Sequence, residues 1–385
     1  YSEVNIVYIQ AMRAAWVEVN LSNLDYNIKS IQSKIGPKCK MAGVIKADAY
    51  GHGAVKVAGV LRANGVNTFA VATLEEAVKL RNAGFILEEI IVLGLTPDPL
   101  IAPIIEHRLS PVVSTYENAE AISKAAAREG IIIKGYVAVD TGMGRIGMCP
   151  EDSTIVSTFK MIDKLPNFQI QGVFSHFATA DHADKTYAFA QEQRFSVLCK
   201  KLANAGFKIP IHVIANSAAT MEMVSTHNEM VRPGIILYGL YPSDQVDRRQ
   251  LDIKPVMSVK ANIVELKKVP AGTTVSYGRT FTARRDSIIA TIPLGYADGL
   301  PRNYSTKGKV IVNGVVAPIA GTINMDMTMI DVTSVPYVRC GDEVTIMGRD
   351  GAVEITADYI ATQLGTINYE IATSFGLRLP KVYTY

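Results

Sequence analysis

The sequence has few of the features that mark secreted or metal-binding proteins. Only four of its 385 residues are cysteines, and none of them forms a C-x-x-C pair: Cys39, Cys149, Cys199 and Cys340. Such widely spaced thiols favour a reduced, cytosolic protein over a disulfide framework or a zinc site. The six histidines include no H-E-x-x-H motif, so we predict no bound metal.

Strong charge and long apolar segments are also missing. The formal net charge is +3, which is too small to indicate nucleic acid or a charged membrane as a partner. No apolar run approaches the roughly 20 residues that span a bilayer, and no secretion signal is recognisable at the start of the sequence. The composition, 48% hydrophobic and 19% charged, predicts an ordinary soluble protein of the cytoplasm.

The first part of the chain alternates apolar runs with helical patterns. Ser22 is a candidate N-cap, and the pairs Thr73/Glu76 and Ser114/Glu117 have the spacing of capping boxes. Strands are predicted at 41–45, 68–72, 90–94, 111–113, 131–139, 170–176, 211–214 and 231–232. Eight strands separated by helices indicate an α/β fold, a (β/α)8 TIM-type barrel.

The pattern changes near residue 245, where shorter runs rich in Val, Thr and Gly begin. Strands are predicted at 257–264, 287–292, 309–312, 327–332 and 343–347, which indicates a mainly β second domain. We therefore divide the chain into an N-terminal extension over 1–15, a barrel over 16–244 and a C-terminal β domain over 245–385.

Lys46 is the first candidate functional residue. It ends the apolar run Met41–Ile45 and precedes the glycine-containing loop Ala47–Gly53. A partly buried amine ionises less readily than a free one and can attack a carbonyl, so Lys46 could hold an aldehyde cofactor as a Schiff base. A solvated lysine at a strand end is the alternative.

Polar clusters follow four other predicted barrel strands, at 140–147, 175–177, 215–219 and 232–235. Active sites of (β/α)8 barrels lie at the carboxyl ends of the strands. Ser217, Gly234 and Ile235 therefore lie where a phosphate could receive a hydroxyl and backbone N–H groups. Taken singly, Ser217 also fits a helix cap, Pro233-Gly234 a turn and His176 a residue at the edge of the core.

These motifs resemble those of the alanine racemase family, the fold-type III enzymes that depend on pyridoxal phosphate. The resemblance runs from about Trp16 to Tyr383. It is carried by the segments Val44–Gly53, Asp140–Gly147, Phe177–Asp181, Asn216–Ala219, Arg232–Gly239, Ser276–Arg279, Gly295–Gly299, Met325-Asp326 and Asn368–Glu370.

The resemblance implies a set of cofactor-binding residues. Lys46 would hold pyridoxal phosphate covalently, and Arg232 would hydrogen-bond its pyridine nitrogen. Arginine stays protonated, so it cannot transfer a proton there, and the ring would be a weaker electron sink than a pyridinium. Arg145 would approach the phenolic oxygen and the substrate carboxylate. The phosphate would be bound by Tyr50, Ser217, Gly234, Ile235 and Tyr369.

Racemisation requires proton transfer on both faces of the substrate Cα, and the resemblance implies two bases. Lys46 is one, and Tyr277 of the partner subunit is the other, which requires a homodimer with shared active sites. A free tyrosine has a pKa of about 10 and is a poor base at neutral pH. His176 linked to Arg232 is the predicted source of the positive charge that favours its phenolate.

The resemblance also implies the substrate contacts. Tyr296 and Tyr369 would form a narrow gate, Met325 would offer its backbone to the substrate carboxylate, and Asp326 is assigned to the same site. The resemblance therefore implies racemisation of L- and D-alanine, with D-alanine supplied for peptidoglycan.

Two positions depart from the pattern of the family. Ala138 stands where many members carry a carbamylated lysine that braces the arginine, so Arg145 is held differently or by a bound anion such as chloride. Asn324 stands where cysteine is frequent, which leaves a racemase for serine or another small amino acid as an alternative. An amino-acid decarboxylase and a non-catalytic barrel that only binds pyridoxal phosphate are more distant alternatives.

Overall fold

The structure, a computed structural model, describes residues 13–305, 307–376 and 378–385. Most of the predicted N-terminal extension lies outside these residues. The chain forms two compact units. The barrel unit comprises Leu24–Ala49 and Ala54–Lys254, and the β unit comprises the described residues up to Asn23, Tyr50–Gly53 and Pro255–Tyr385. Strand β1, Ala15–Asn20, therefore belongs to the β unit, although the predicted domain limits place it in the barrel.

The barrel unit contains eight parallel strands, and all eight predicted strands are confirmed to within about two residues at each end. They pair in the order β8-β7-β6-β5-β4-β3-β2-β9 and form a near-closed barrel. Their bounds are β2 Lys40–Val44, β3 Thr68–Val71, β4 Glu89–Val92, β5 Ser110–Val113, β6 Ile133–Ala138, β7 Phe168–Phe174, β8 Ile211–Val213 and β9 Met230–Val231. Helices cover the outer face of the barrel strands, and packed side chains fill the interior of the barrel. Because both faces of each strand are buried, its sequence is a nearly continuous apolar run.

Helices connect these strands: α1 Leu21–Ile35, α2 Ala54–Ala63, α3 Leu74–Asn82, α4 Ile101–Glu106, α5 Tyr116–Arg128, α6 Ile155–Asp163, α7 Thr186–Asn204 and α8 Ser217–Glu222. In the described part of the chain, no helix has the length and apolar character needed to cross a bilayer.

The helix caps confirm one of the three predicted N-termini. The capping box of Thr73 and Glu76 is present at the start of α3. The other two predictions are wrong by one or two residues. Asn20, not Ser22, accepts the N–H of Asn23 at the start of α1. Thr115 caps α5 through the N–H of Asn118, with extended backbone at φ −142°. The N-cap residue has an extended backbone and lies directly before the first helical turn. Asn20 and Thr115 occupy this position.

The β unit is built on a seven-stranded sheet. Six strands follow the order β16-β15-β18-β10-β1-β20, and β19 pairs with β18; β11, β14 and β17 form a second sheet, and β12 and β13 a hairpin. The strands are β10 Met257–Asn262, β11 Glu265–Val269, β12 Thr274–Val275, β13 Phe281–Thr282, β14 Ser287–Ile292, β15 Lys309–Val312, β16 Val315–Pro318, β17 Thr328–Asp331, β18 Glu343–Asp350, β19 Val353–Ile355 and β20 Lys381–Thr384. Helices α9 Ala357–Leu364 and α10 Asn368–Ser374 complete the unit. The predicted mainly β second domain is confirmed.

Candidate active site

Lys46 follows the buried end of β2 and opens a left-handed turn, Lys46–Tyr50. The four residues after it, none of them glycine, have φ angles between 51° and 57°. This conformation costs roughly 1–2 kcal/mol per residue and needs external support. In the barrel unit Glu76 accepts the N–H of Ala47 at 2.6 Å, and Asp48 accepts the N–H of Ala54 at 3.0 Å. The strained backbone is thus held directly beside the candidate lysine.

The surroundings of Lys46 favour a neutral amine. Burial lowers its pKa, and the positive charges of Arg145 and Arg232 lower it further, while the carboxylate of Glu76 acts in the opposite direction. A lowered pKa increases the fraction of neutral amine at neutral pH, and only the neutral amine can attack a carbonyl or accept a proton. A solvated lysine leaving a strand does not have this environment.

Arg232 is buried at the ends of three barrel strands. Its Nη2 donates to the carbonyl oxygens of Ser175 at 2.5 Å and Ile214 at 3.3 Å. The guanidinium also lies over the ring of Phe174, 4.2 Å from its centroid. These contacts fix a permanent cation at the mouth of the barrel.

His176 lies 3.3 Å from Arg232, measured from Nδ1 to Nη2. A guanidinium only donates, so Nδ1 must accept and carries no proton. Burial lowers the pKa of His176 well below 6.5, and the charges of Arg232, Arg145 and Lys46 act in the same direction. In the predicted source of positive charge, His176 linked to Arg232, the arginine therefore carries the charge. The imidazole is neutral, and the arginines are the cations.

This neutrality predicts a pH dependence of stability. The unfolded chain binds a proton at this histidine below pH ~6.5 and the folded chain does not, so its contribution is complete above that pH and decreases as the pH falls. His176→Gln keeps an acceptor for Arg232 but cannot titrate. Urea unfolding should show that the variant loses less stability than the parent from roughly pH 7 to pH 5. The matched control is His182→Gln, at an exposed histidine. Equal losses of stability in the parent and in His176→Gln would contradict the neutral imidazole.

Three of the predicted phosphate-binding residues, Ser217, Gly234 and Ile235, lie together in the barrel unit. Gly234 donates its N–H to Ser217 Oγ at 2.9 Å, and Ile235 begins the 3-10 turn Ile235–Tyr238. The first N–H groups of a helical turn have no acceptor within the turn, so they can bind an anion. Asn216 caps α8 by accepting the N–H of Ala219. Ser217 is therefore not the cap of this helix, and its hydroxyl can donate to an anion.

The loop that carries Arg145 is anchored by Asp140, directly after β6. One carboxylate oxygen of Asp140 accepts the N–H groups of Gly142, Met143 and Gly144 at 2.8–3.0 Å. Burial opposes ionisation of this carboxyl, but the three N–H groups outweigh it and lower its pKa. This anchor supports the view that Arg145 is held differently, through its own loop, where the sequence has Ala138.

The candidates in the β unit cluster around one segment. Tyr277, 69% exposed, opens the 3-10 turn Tyr277–Arg279. Tyr296 donates its N–H to the carbonyl of Asn324 at 3.0 Å, and the next residue, Ala297, donates to the carbonyl of Met325 at 3.0 Å. The backbone of the 324–325 segment therefore fixes the position of Tyr296.

Three further predicted residues of the β unit have contacts of their own. Asp326 accepts from Arg378 at 2.8 Å, so its carboxylate already has a cationic partner. The rings of Tyr50 and Tyr369 are tilted at 56° with centroids 6.1 Å apart. These contacts orient the three side chains.

Sequence comparisons agree with this arrangement. A family model described as "Alanine racemase, N-terminal domain" matches residues 19–242, and one described as "Alanine racemase, C-terminal domain" matches 256–383. The chain is 48% identical to alanine racemase 1 of Clostridium acetobutylicum over 372 residues, covering 97% of this chain and 96% of that protein.

Solved structures give the same result. The structure of alanine racemase from Clostridium difficile 630 matches with a TM-score of 0.91 and 40% identity, covering 96% of this chain and 95% of that one. Histidine racemase from Leuconostoc mesenteroides matches with a TM-score of 0.89 and 30% identity, covering 97% and 98%.

Proposed function

Because the chain belongs to the alanine racemase family and is therefore a pyridoxal-phosphate-dependent isomerase, we propose that it interconverts L- and D-alanine with Lys46 and Tyr277 as its two proton-transferring residues. The observation that carries this assignment is the position of Lys46 at the carboxyl end of β2, where burial and the charges of Arg145 and Arg232 lower its pKa.

The residues at this rim fit the cofactor. Pyridoxal phosphate is an aldehyde with a phosphate, and the rim combines an amine of lowered pKa with Ser217 and the N–H groups at Gly234 and Ile235. Lys46 would hold the aldehyde carbon, and Ser217 and Ile235 would bind the phosphate. The N–H of Gly234 would join them by exchanging its bond to Ser217 Oγ for one to the phosphate. Arg232 would donate to the pyridine nitrogen, and Tyr50 and Tyr369 remain predicted phosphate ligands. When bound, the cofactor withdraws electrons from the substrate Cα and makes its proton acidic.

The proton transfers then belong to side chains of this chain. The Nζ of Lys46 takes or returns the Cα proton on one face, and the phenolic oxygen of Tyr277 does so on the other. Arg145, exposed on its anchored loop, would hold the substrate carboxylate. With a neutral His176, the positive charge that favours a phenolate comes from the arginines.

We propose that Tyr277 acts in the site of a partner subunit. It is 69% exposed, and Tyr296, Met325 and Met327 of the same unit are exposed by 39%, 52% and 49%. Backbone contacts bring Tyr296 and the segment 324–327 together, so these side chains contribute to one exposed apolar surface. Surfaces of this kind indicate protein–protein contact. A symmetric homodimer would cover the surface and supply the second base.

Product use and location complete the proposal. We infer that the D-alanine serves peptidoglycan synthesis in the cytoplasm. The widely spaced cysteines support a reducing compartment.

The proposal is tested by racemisation of purified protein on a panel of L-alanine, L-serine and L-histidine, with D-enantiomer formation measured by chiral chromatography. L-Alanine should be converted fastest. Since one hydroxyl shifts preference by about 1–3 kcal/mol in such a pocket, L-serine should be roughly 10-fold slower or more. Removal of pyridoxal phosphate should abolish the activity and its return should restore it. Faster conversion of serine or histidine would overturn the alanine assignment.

A further inference from the structure

Ser276, the residue directly before Tyr277, has an unusual backbone conformation. Its φ is 68° and its ψ is −178°, a region occupied almost only by glycine. Such a residue costs roughly 1–3 kcal/mol and persists only where neighbouring groups hold it. The groups that hold Ser276 therefore also set the position of the Tyr277 phenol.

Two polar residues of the β unit hold this turn. The hydroxyl of Ser276 donates to the carbonyl oxygen of Thr322 at 2.6 Å and to the side-chain oxygen Oδ1 of Asn324 at 3.0 Å. Thr322 Oγ1 donates to the carbonyl of Tyr277 at 2.9 Å. A Cβ on Gly321 would lie 2.8 Å from Ser276 Cβ, so the two segments pack with no space for a larger residue.

The hydroxyl of Ser276 has two acceptors. Its one hydrogen is shared between the carbonyl oxygen of Thr322, at the shorter distance, and Oδ1 of Asn324. Asn324 therefore accepts from Ser276 through its side-chain oxygen.

The backbone of Asn324 takes part in the site as well. Its carbonyl accepts the N–H of Tyr296 at 3.0 Å, and its N–H donates to Met327 at 2.9 Å. A Cβ on Gly295 would clash with the carbonyl oxygens of Asn324 and Met325, so Gly295 allows these segments to touch.

We propose that Asn324 is a positioning residue for Tyr277. Through its amide it fixes Ser276 and the tyrosine turn, and through its backbone it fixes Tyr296. This inference rests on the proposed function, in which Tyr277 transfers a proton.

The test compares Asn324→Ala and Asn324→Asp with the parent enzyme loaded with pyridoxal phosphate. Displacement of a catalytic group by about 1 Å can reduce the rate about 100-fold, so kcat of Asn324→Ala should fall about 10- to 100-fold while KM changes less than about 3-fold. Aspartate has the same shape and keeps an oxygen that accepts from Ser276, so Asn324→Asp should retain more of kcat than Asn324→Ala. Asn303→Ala, an exposed asparagine of the same unit, is the control. Cofactor absorbance and Tm establish that the variants are folded and loaded.

A kinetic isotope effect reports which base is affected. The two enantiomers have equal free energies, so kcat/KM must stay equal in the two directions whatever is substituted. A displaced Tyr277 should instead increase the Cα-deuterium isotope effect for one enantiomer only. A parent-like isotope effect or a parent-like kcat in Asn324→Ala would overturn the proposal.

A double variant separates this inference from the proposed function. If Asn324 acts through Tyr277, Asn324→Ala should add no further loss to Tyr277→Phe. A further loss of the same factor would overturn the positioning role and leave the proposed function intact. A fully active Tyr277→Phe variant would overturn the two-base proposal itself, and the inference with it.

Discussion

Lys46→Ala is expected to abolish racemisation, with kcat/KM reduced about 10⁴-fold or more. The substitution removes two functions at once. The amine that would hold the cofactor covalently is lost, and so is the proton-transferring group on one face of the substrate. General acid–base catalysis alone contributes about 10²- to 10⁴-fold, and loss of covalent binding adds to it. The measurement is racemisation of L- and D-alanine with saturating pyridoxal phosphate.

Two variants test whether the loss of activity comes from the missing positive charge or from reduced stability of the protein, and not from the missing amine. Lys46→Arg keeps a cation but has no amine that deprotonates at neutral pH, so it should be as inactive as alanine. Lys38→Ala, an exposed lysine before β2, should have parent activity. Borohydride reduction followed by mass spectrometry should locate the cofactor on the peptide that contains Lys46 in the parent. Parent-like rates in Lys46→Ala, or a label on another lysine, would refute the assignment.

The sequence predicts the barrel well because the relevant signals are local. Apolar runs mark the strands, and the pair Thr73/Glu76 marks the start of α3 where the structure has it. The one- or two-residue errors at Asn20 and Thr115 arise because Ser22 and Ser114 have equally suitable side chains. Only the backbone conformation before the first turn decides which of two neighbouring polar residues is the cap.

The site is predicted less completely because its chemistry depends on distant neighbours. Motifs locate Lys46, Ser217 and Arg232 at strand ends, but the charge of His176 depends on its burial and on Arg232, which is 56 residues away. Glu76 is recognisable as a capping residue, yet nothing local indicates that it also accepts the N–H of Ala47.

Backbone conformation is the other part that the sequence does not show. The loop after Lys46 contains Gly51 and Gly53, which suggest flexibility, but the left-handed turn begins before them on Ala47 and Asp48. The glycines serve close packing, since a Cβ on Gly51 would lie 2.6 Å from the carbonyl oxygen of Ala372. Ala47 and Asp48 tolerate positive φ poorly. They adopt it here because hydrogen bonds of the folded chain hold them.

Tyr277→Phe is expected to reduce racemisation about 10²- to 10⁴-fold, since it removes the phenolic oxygen of the second base and keeps the ring. Cofactor binding should be retained, because Lys46 and the phosphate-binding residues are unchanged. Tyr337→Phe is the matched control, since Tyr337 is also exposed in the β unit, by 91%. Exchange of the substrate Cα proton with solvent deuterium should be lost in one direction of the reaction only. The direction that is lost identifies the face of the substrate on which Tyr277 acts. Racemisation at the parent rate in Tyr277→Phe would exclude it as a base.

Mixing the two inactive variants gives the sharpest test of a site shared between subunits. In a hybrid dimer of Lys46→Ala and Tyr277→Phe subunits, one site combines both substitutions and the other combines an intact Lys46 with an intact Tyr277. If subunits reassort randomly, about half of the dimers are hybrids and half of their sites are intact, so activity should recover to about one quarter of the parent value. Refolding the variants together, against each refolded alone, measures this recovery. If Tyr277 served the Lys46 of its own subunit, every hybrid site would lack one base, and the mixture would stay as inactive as its components.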